Sequence, residues 1–150
     1  MIADARVLDL FAGSGALGFE SLSRGAAEVV FVEDARPAIQ LIEENARELG
    51  VREHVEILAA PVARARAELV RRGPFDVVLA DPPYAGGWEL KLLETLPWDS
   101  ILAPGGHFCL EWGIQKSKLG ALPERAGQLV KVREKNYGDS VLTTFERGGD

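Results

Sequence analysis

Val7-Leu8-Asp9-Leu10-Phe11-Ala12-Gly13-Ser14-Gly15-Ala16-Leu17-Gly18 reads as a buried strand, a glycine-rich turn and the start of a helix, and this order decides the fold. The apolar run Arg6 to Leu10 supplies the strand, and Ala16 to Arg24 the helix. Gly25 closes that helix at the position where a left-handed residue is wanted. In open α/β sheets, ligands bind at the loop between such a strand and helix.

The same alternation continues outward. Glu28 to Glu33 reads as a second strand, followed after Asp34 by a helix with Pro37 in its first turn and Ile39, Ile42, Ala46 and Leu49 along one face. Val55 to Ala59 is a third strand and Val62 to Arg72 a third helix. Gly73-Pro74 breaks the chain before the strongly apolar fourth strand, Phe75 to Ala80. A helix from about Trp88 to Leu96, a turn at Pro104-Gly105-Gly106 and a fifth strand, Gly106 to Glu111, follow. In the tail, Gln128 to Asn136 and Ser140 to Glu146 are strand-like runs joined by Tyr137-Gly138-Asp139, which predicts a hairpin. The expected fold is α/β: a doubly wound, mostly parallel, seven-stranded sheet with helices on both faces and a C-terminal antiparallel hairpin.

Gly13, Gly15 and Gly18 satisfy the G-x-G-x-x-G spacing of dinucleotide sites. Glu33 lies where an acidic residue would grip ribose hydroxyls. Taken alone, these residues suit NAD as well as S-adenosylmethionine. Asp9 separates the two ligands, because a carboxylate beside this loop would face the two negative charges of a pyrophosphate. The methionine part of S-adenosylmethionine instead brings an ammonium and a sulfonium, both cationic. The plainer readings are that Asp9 caps the turn and that Glu33 is a surface charge at a strand end.

Asp81-Pro82-Pro83-Tyr84 ends the fourth strand, which should neighbour the first across the switch point of the sheet. An exocyclic base amine is a poor nucleophile because its lone pair is delocalised into the ring. Two hydrogen-bond acceptors that take both N–H protons would turn that lone pair toward a methyl group and stabilise the charge growing on nitrogen. The Asp81 side chain and the Pro82 carbonyl can supply them, and two prolines remove N–H donors from a stretch that should present only acceptors. Tyr84 offers a face for stacking. Methyl transfer then needs in-line alignment at about 3–3.5 Å, with no metal and no covalent intermediate. The competing reading is a strand end with Asp81 as its cap.

At 150 residues and 47% hydrophobic composition, the chain suits one core, hence a single domain over residues 1–150. The formal net charge of -6, from 17 Lys and Arg against 23 Asp and Glu, opposes nonspecific attraction to polyphosphate. It leaves room for a local basic patch, or for docking onto a ribonucleoprotein. No run of 18 apolar residues and no basic-then-apolar start occurs, so the expectation is a cytoplasmic protein with no membrane partner. Cys109 reads as a small buried hydrophobe, and His54 and His107 lack metal-ligand spacing. Trp88, Trp98 and Trp112 read as core or rim packing, with Trp88 close to Tyr84 in sequence.

With these motifs together, the chain resembles class I methyltransferases of the amino-methylating type. Val7 to Gly18, Glu20 to Ala26, Phe31-Val32-Glu33, Asn45 and Asp81 to Tyr84 resemble, more narrowly, the bacterial 16S rRNA guanine-N2 methyltransferases of the RsmD family. That resemblance implies S-adenosylmethionine as donor, held by Asp9, Phe11, Ala12, Gly13, Ser14, Gly15, Glu33 and Asp34. It implies Asp81, Pro82 and Tyr84 as catalytic residues and Pro83 and Tyr84 as guanine contacts. It also implies rRNA as partner, either naked or within the small ribosomal subunit; nothing in the sequence demands more than a monomer, and the transfer chemistry needs no metal. Lys116 and Lys118 after the fifth strand, and Lys131, Arg133 and Lys135 alternating onto one face of the sixth, are basic candidates for holding RNA; Lys116 and Arg133 are the substrate-binding choices. Lysine-guarded edge strands explain the latter three as well. Two departures stand out. Relatives place an acidic residue near the donor adenine where this chain has Leu58-Ala59-Ala60-Pro61, and they carry a basic segment ahead of the first strand.

Two other functions remain open at this level. Adenine-N6 methylation of DNA or glutamine-N5 methylation of protein shares the chemistry, although sequence-specific DNA enzymes usually need a further target-reading module. An NAD- or nucleotide-binding Rossmann protein shares the glycine loop but leaves Asp9 and Asp81 without a use.

Overall fold

The computed structural model describes residues 2–113 and 120–148, which form one eight-stranded sheet flanked by five helices among the described residues. In chain order they are β1 (Arg6–Leu10), α1 (Ala16–Ser23), β2 (Glu28–Glu33), α2 (Arg36–Glu48), β3 (Val55–Ala59), α3 (Arg66–Arg72), β4 (Phe75–Ala80), α4 (Trp88–Thr95), α5 (Trp98–Ile101), β5 (Leu102–Gly113), β6 (Arg125–Ala126), β7 (Leu129–Tyr137) and β8 (Ser140–Arg147). The strand order is β3-β2-β1-β4-β5-β8-β7-β6. The first five strands run parallel, and β8, β7 and β6 add antiparallel. The chain order reverses between β1 and β4, so the crevice lies at the carboxyl ends of those two strands.

Alternation along the strands sends side chains to two cores. Leu8, Leu10, Val30, Val32, Val78, Phe108, Leu110 and Phe145 pack with Leu69 of α3, Leu92 of α4 and Trp98 of α5. Val7, Val29, Phe31 and Val77 face the other way, onto Ile42 and Ala46 of α2 with Phe19 and Leu22 of α1. Leu49 ends as the capping residue of α2 and is 61% exposed, one step past the apolar face the sequence suggested.

Several boundaries differ from expectation. The helix expected over Val62 to Arg72 splits, because Pro61 and Val62 carbonyls accept i+3 bonds in a 3-10 turn at Val62–Arg64 and α3 starts only at Arg66. The fifth strand begins at Leu102, ahead of Pro104-Gly105-Gly106. Its register with β4 jumps from Phe75↔Leu102 to Val77↔His107, so that turn is a bulge inside the strand. The strand beyond the seven expected, β6, is two residues pairing with the start of β7 around Gly127.

The tail hairpin carries a second bulge. Lys131 pairs with Phe145 but Arg133 with the adjacent Thr144, so the extra residue Val132 puts Lys131 and Arg133 on opposite faces. Lys131 turns inward, where its ammonium donates to the Leu122 carbonyl and sits 3.5 Å from both Glu124 and Glu134. The three cations therefore do not share one face. Only Arg133 and Lys135 do.

Candidate active site

The site begins at the turn after β1. Gly13 and Gly15 take φ of +58° and +86°, and Phe11, unusually for a residue with a side chain, takes +56°. A Cβ added at Gly13 would meet nothing within 4 Å, so its backbone stands open to the crevice. Gly18 is different: a Cβ there would lie 2.3 Å from the Phe31 ring and 2.9 Å from Val29, which is how α1 packs closely on β2. Phe31 is fully buried and cannot swing aside. Gly18→Ala is therefore expected to destabilise the protein by about 1–3 kcal/mol through overpacking, read as a lower melting temperature by calorimetry. An unchanged melting temperature would show that Phe31 repacks and that the third glycine is dispensable.

Glu33 ties this loop to the second helix. Its Oε1 accepts from the Gly13 N–H at 2.7 Å, while Oε2 accepts from Asp34 N at 3.1 Å and Ala35 N at 2.9 Å, just ahead of α2. Its carboxylate is thus a fixed acceptor at the crevice rather than a loose surface charge. Asp9 lies deeper. It is 1% exposed, and its Oδ2 accepts from Gly18 N in the first turn of α1 at 3.1 Å, so the capping role is real. Burial pushes its carboxyl up to about 7; the Gly18 N–H opposes this, and the charges of Asp81 and Glu33 add to it.

A cavity of about 500 Å³ lies between these groups, within the range of small-molecule sites. Of the residues singled out from sequence, it brings together Phe11, Gly13, Glu33, Asp34, Asp81 and Pro83. It includes Ala60 and Pro61, from the stretch that the resemblance sets near the donor adenine, and adds Val32, Val62, Ala63 and Trp88, which sequence reasoning did not assign to the site. Trp88 packs edge-on to Phe11 with ring centroids 5.0 Å apart, forming an aromatic wall. The signal for Ala60 to Ala63 was available in principle, because Ala59 pairs with Glu33 and the chain beyond it must leave at the same sheet edge.

The remaining candidates stand elsewhere. Ala12 donates to the Val32 carbonyl at 3.0 Å, and Ser14 is exposed, its carbonyl 3.5 Å from the Asn45 amide nitrogen. Gly15 is buried against Phe19 and Phe31. Pro82 is buried, and Tyr84, 49% exposed, stands outside the cavity lining. Asp81 is held with its carboxyl above the usual range by partial burial. Arg133 is exposed on β7. Lys116 and Lys118 lie outside the described residues. Among the described residues no group of three His, Cys, Asp or Glu is placed to hold a metal ion, and no helix is long and apolar enough to cross a membrane.

Chemically, the cavity joins a loop with open backbone, an apolar wall and the carboxyl groups of Glu33 and Asp81, with Asp9 behind them held harder to ionise by burial and by the charges of the other two. A pyrophosphate would meet Asp81 and Glu33 at its lining and Asp9 behind it, a repulsive arrangement in a partly desolvated crevice. A cationic ligand relieves the same strain. The donor set therefore fits S-adenosylmethionine and does not fit a dinucleotide.

The chain matches the family model described as conserved hypothetical protein 95 over residues 1–146. It is 36% identical over 153 aligned positions to the ribosomal RNA small subunit methyltransferase D of Escherichia coli K12, covering 98% of this chain and 71% of that protein. The protein of the same name from Haemophilus influenzae is 36% identical, covering 91% of this chain and 69% of that one. A solved structure from Streptococcus pyogenes, described as a conserved hypothetical protein, superposes with a TM-score of 0.83 at 33% identity, covering 97% of this chain and 87% of that one.

Proposed function

Because the chain belongs to the conserved hypothetical protein 95 family, we propose that it methylates the exocyclic N2 amine of a guanine in 16S ribosomal RNA. It is a class I methyltransferase of the RsmD type, and S-adenosylmethionine is its methyl donor. The observation that carries the reading is one cavity lined both by Gly13 and Glu33 from the β1 and β2 ends and by Asp81 and Pro83 from the β4 end. Donor-binding and amine-binding elements thus open onto the same space.

Bound S-adenosylmethionine supplies an electrophilic methyl group. The chain's own residues do the rest. Glu33 holds the ribose hydroxyls with lone pairs left over from its backbone bonds, while Gly13 lets the backbone approach and Phe11, Val62 and Trp88 pack the adenosine. Asp9 sits behind the loop as the buried negative charge that favours a cationic donor. Asp81 and the Pro82 carbonyl accept hydrogen bonds from the two amine N–H groups, turning the nitrogen lone pair toward the methyl and offsetting the positive charge that grows on it; the methylated amine then loses its surplus proton to water. Tyr84, exposed beside the cavity, stacks on the guanine. Pro83 closes the wall between them. The adenine is met by Ala60 to Ala63 through packing and backbone groups, in place of an acidic side chain.

The proposed setting is the cytoplasm, with the small ribosomal subunit as substrate particle and the enzyme as a monomer. The test is transfer of labelled methyl to unmethylated small subunits, naked 16S rRNA and duplex DNA in parallel, with the product nucleoside identified by mass spectrometry. N2-methylguanosine from either RNA sample is the expected product. Methylated adenine from the DNA sample, or no transfer to any sample with donor still bound, would overturn the substrate assignment.

A further inference from the structure

Trp88 stands between two cavities. One is the donor cavity of about 500 Å³. The other is a hollow of about 150 Å³ between α3 and α4, lined beyond Trp88 by Arg66, Leu92, Thr95 and Leu96. Val62, Ala63 and Trp88 line both, so these three residues are the partition. The hollow lies on the face of the sheet opposite α1 and α2, where Val62 and Leu92 belong to the first core and Trp88 and Leu96 pack against it. The Arg66 guanidinium donates to the Thr95 carbonyl at 2.9 Å, which ties the start of α3 to the end of α4 and fixes the spacing of the two helices there.

Of the three partition residues, Trp88 alone has a side chain large enough to close a gap by itself. Its indole is held from several sides. Gly86 and Gly87 take φ of +97° and +66°, which turns the chain from the Asp81 motif directly into α4 at Trp88. A Cβ added at Gly86 would touch the indole at 3.6 Å, so the ring lies close over that backbone. Phe11 meets the ring edge-on with centroids 5.0 Å apart, and the Lys91 ammonium stands 5.2 Å from the ring centroid. The stretch from Ala60 to Ala63, proposed to meet the adenine, offers no side-chain hydrogen-bond acceptor. A substituent on the adenine amine therefore forfeits no side-chain hydrogen bond to that stretch, and what refuses it is shape.

We infer that Trp88 sets the specificity for the donor's base: its indole closes the adenine end of the donor cavity and excludes analogues that carry a ring on the adenine amine. The inference rests on the placement of the adenine at Ala60 to Ala63. Removing the indole joins the two spaces, and the hollow then receives the substituent. A cavity of about 150 Å³ lined by apolar side chains holds a benzene ring, which matches the hollow in size. Val62, Leu92 and Leu96 give that ring apolar contacts, while Arg66 keeps its bond to the Thr95 carbonyl. A Trp88 that served only to pack α4 would lower stability when removed and leave the ranking of donor analogues unchanged.

The test uses the full chain, S-adenosylhomocysteine and its N6-benzyl derivative, with both affinities read by isothermal titration calorimetry. The wild type should bind the benzyl compound at least about 100-fold more weakly than the parent, the discrimination that a filled apolar pocket makes against added carbon. W88A should lose a few-fold in parent affinity and bind the benzyl compound within about tenfold of the parent. W88F, which keeps a ring against Phe11 and disturbs the fold less, should move the same ratio part of the way. Ala60→Trp, which fills the stretch assigned to the adenine, should abolish parent binding. A wild type that binds both compounds alike would overturn the inference. So would a ratio that stays at the wild-type value in W88A and W88F while both still bind the parent; if Ala60→Trp has lost the parent, the adenine placement stands. An Ala60→Trp protein that binds the parent as the wild type does would put the adenine elsewhere and overturn placement and inference together. Methyl transfer to RNA by the wild type is measured separately, so the proposed reaction is tested apart from both.

Discussion

Asp81→Ala is expected to lower kcat by on the order of 10²–10³-fold, the loss typical of removing one preorganised charge stabiliser, while donor affinity changes only a few-fold. The asymmetry follows from position. Phe11, Gly13, Glu33, Pro61, Val62 and Trp88 line the donor's part of the cavity and are untouched by the substitution. Asp81 acts on the amine, whose lone pair is withdrawn into the ring until both N–H protons are taken by acceptors. Asp81→Asn should retain more activity than Asp81→Ala, because its amide oxygen still accepts while its charge is gone. Burial raises the Asp81 carboxyl, so in the wild type kcat at saturating donor should decline with falling pH from above the ordinary carboxylate range. That acid limb should vanish in Asp81→Asn. Isothermal titration with the donor separates the readings: if Asp81→Ala abolishes donor binding, Asp81 belongs to the donor pocket and the proposed mechanism is wrong.

How legible this was in the sequence depended on what kind of force holds each element. β1, β2, β3 and β4 begin and end where the chain's apolar, β-branched runs do, because each run meets glycine, proline or charge at its ends or within three residues of them. The glycine loop and the Asp81 motif were legible for the same reason: their chemistry is local. Elements held by distant partners were not. The four-residue helix α5 exists because Trp98 donates to the Leu92 carbonyl at 3.0 Å and packs on Phe108 with ring centroids 4.3 Å apart. Neither contact leaves a periodic trace. The period-two rule also fails silently at a bulge, which is why Lys131 seemed to join Arg133 and Lys135 while Val132 in fact reverses the phase between them. Trp88 lies close to Tyr84 in sequence, but only the fold brings its ring to the cavity wall, edge-on to Phe11.

Donor affinity is expected to depend on pH through Asp9, falling by about tenfold per unit as pH drops below about 7. In the ligand-free protein the Asp9 carboxyl, pushed up to about 7 first by burial, is largely protonated in mild acid. A donor carrying ammonium and sulfonium groups binds best to the ionised form, so binding must release the proton. Calorimetry at pH 6.5 in buffers of different ionisation heat should register roughly three-quarters of a proton released, and little at pH 8. The stability of the empty protein runs the other way. The folded carboxyl's value lies above the unfolded value of 3.8, so the folded state holds an extra proton between them. This contribution to stability is fully present below 3.8 and is lost as pH rises through about 7, at a cost of about 4 kcal/mol, to order of magnitude. Asp9→Asn should therefore make the ligand-free protein more stable at pH 8, by denaturant or thermal melting, while weakening donor binding and removing its pH dependence. Those opposite signs separate a carboxylate kept for its charge from one kept as a cap, since an asparagine oxygen can still accept from Gly18 N. Donor affinity that is flat from pH 6 to 8 in the wild type, or unchanged in Asp9→Asn, would reduce Asp9 to the cap of α1.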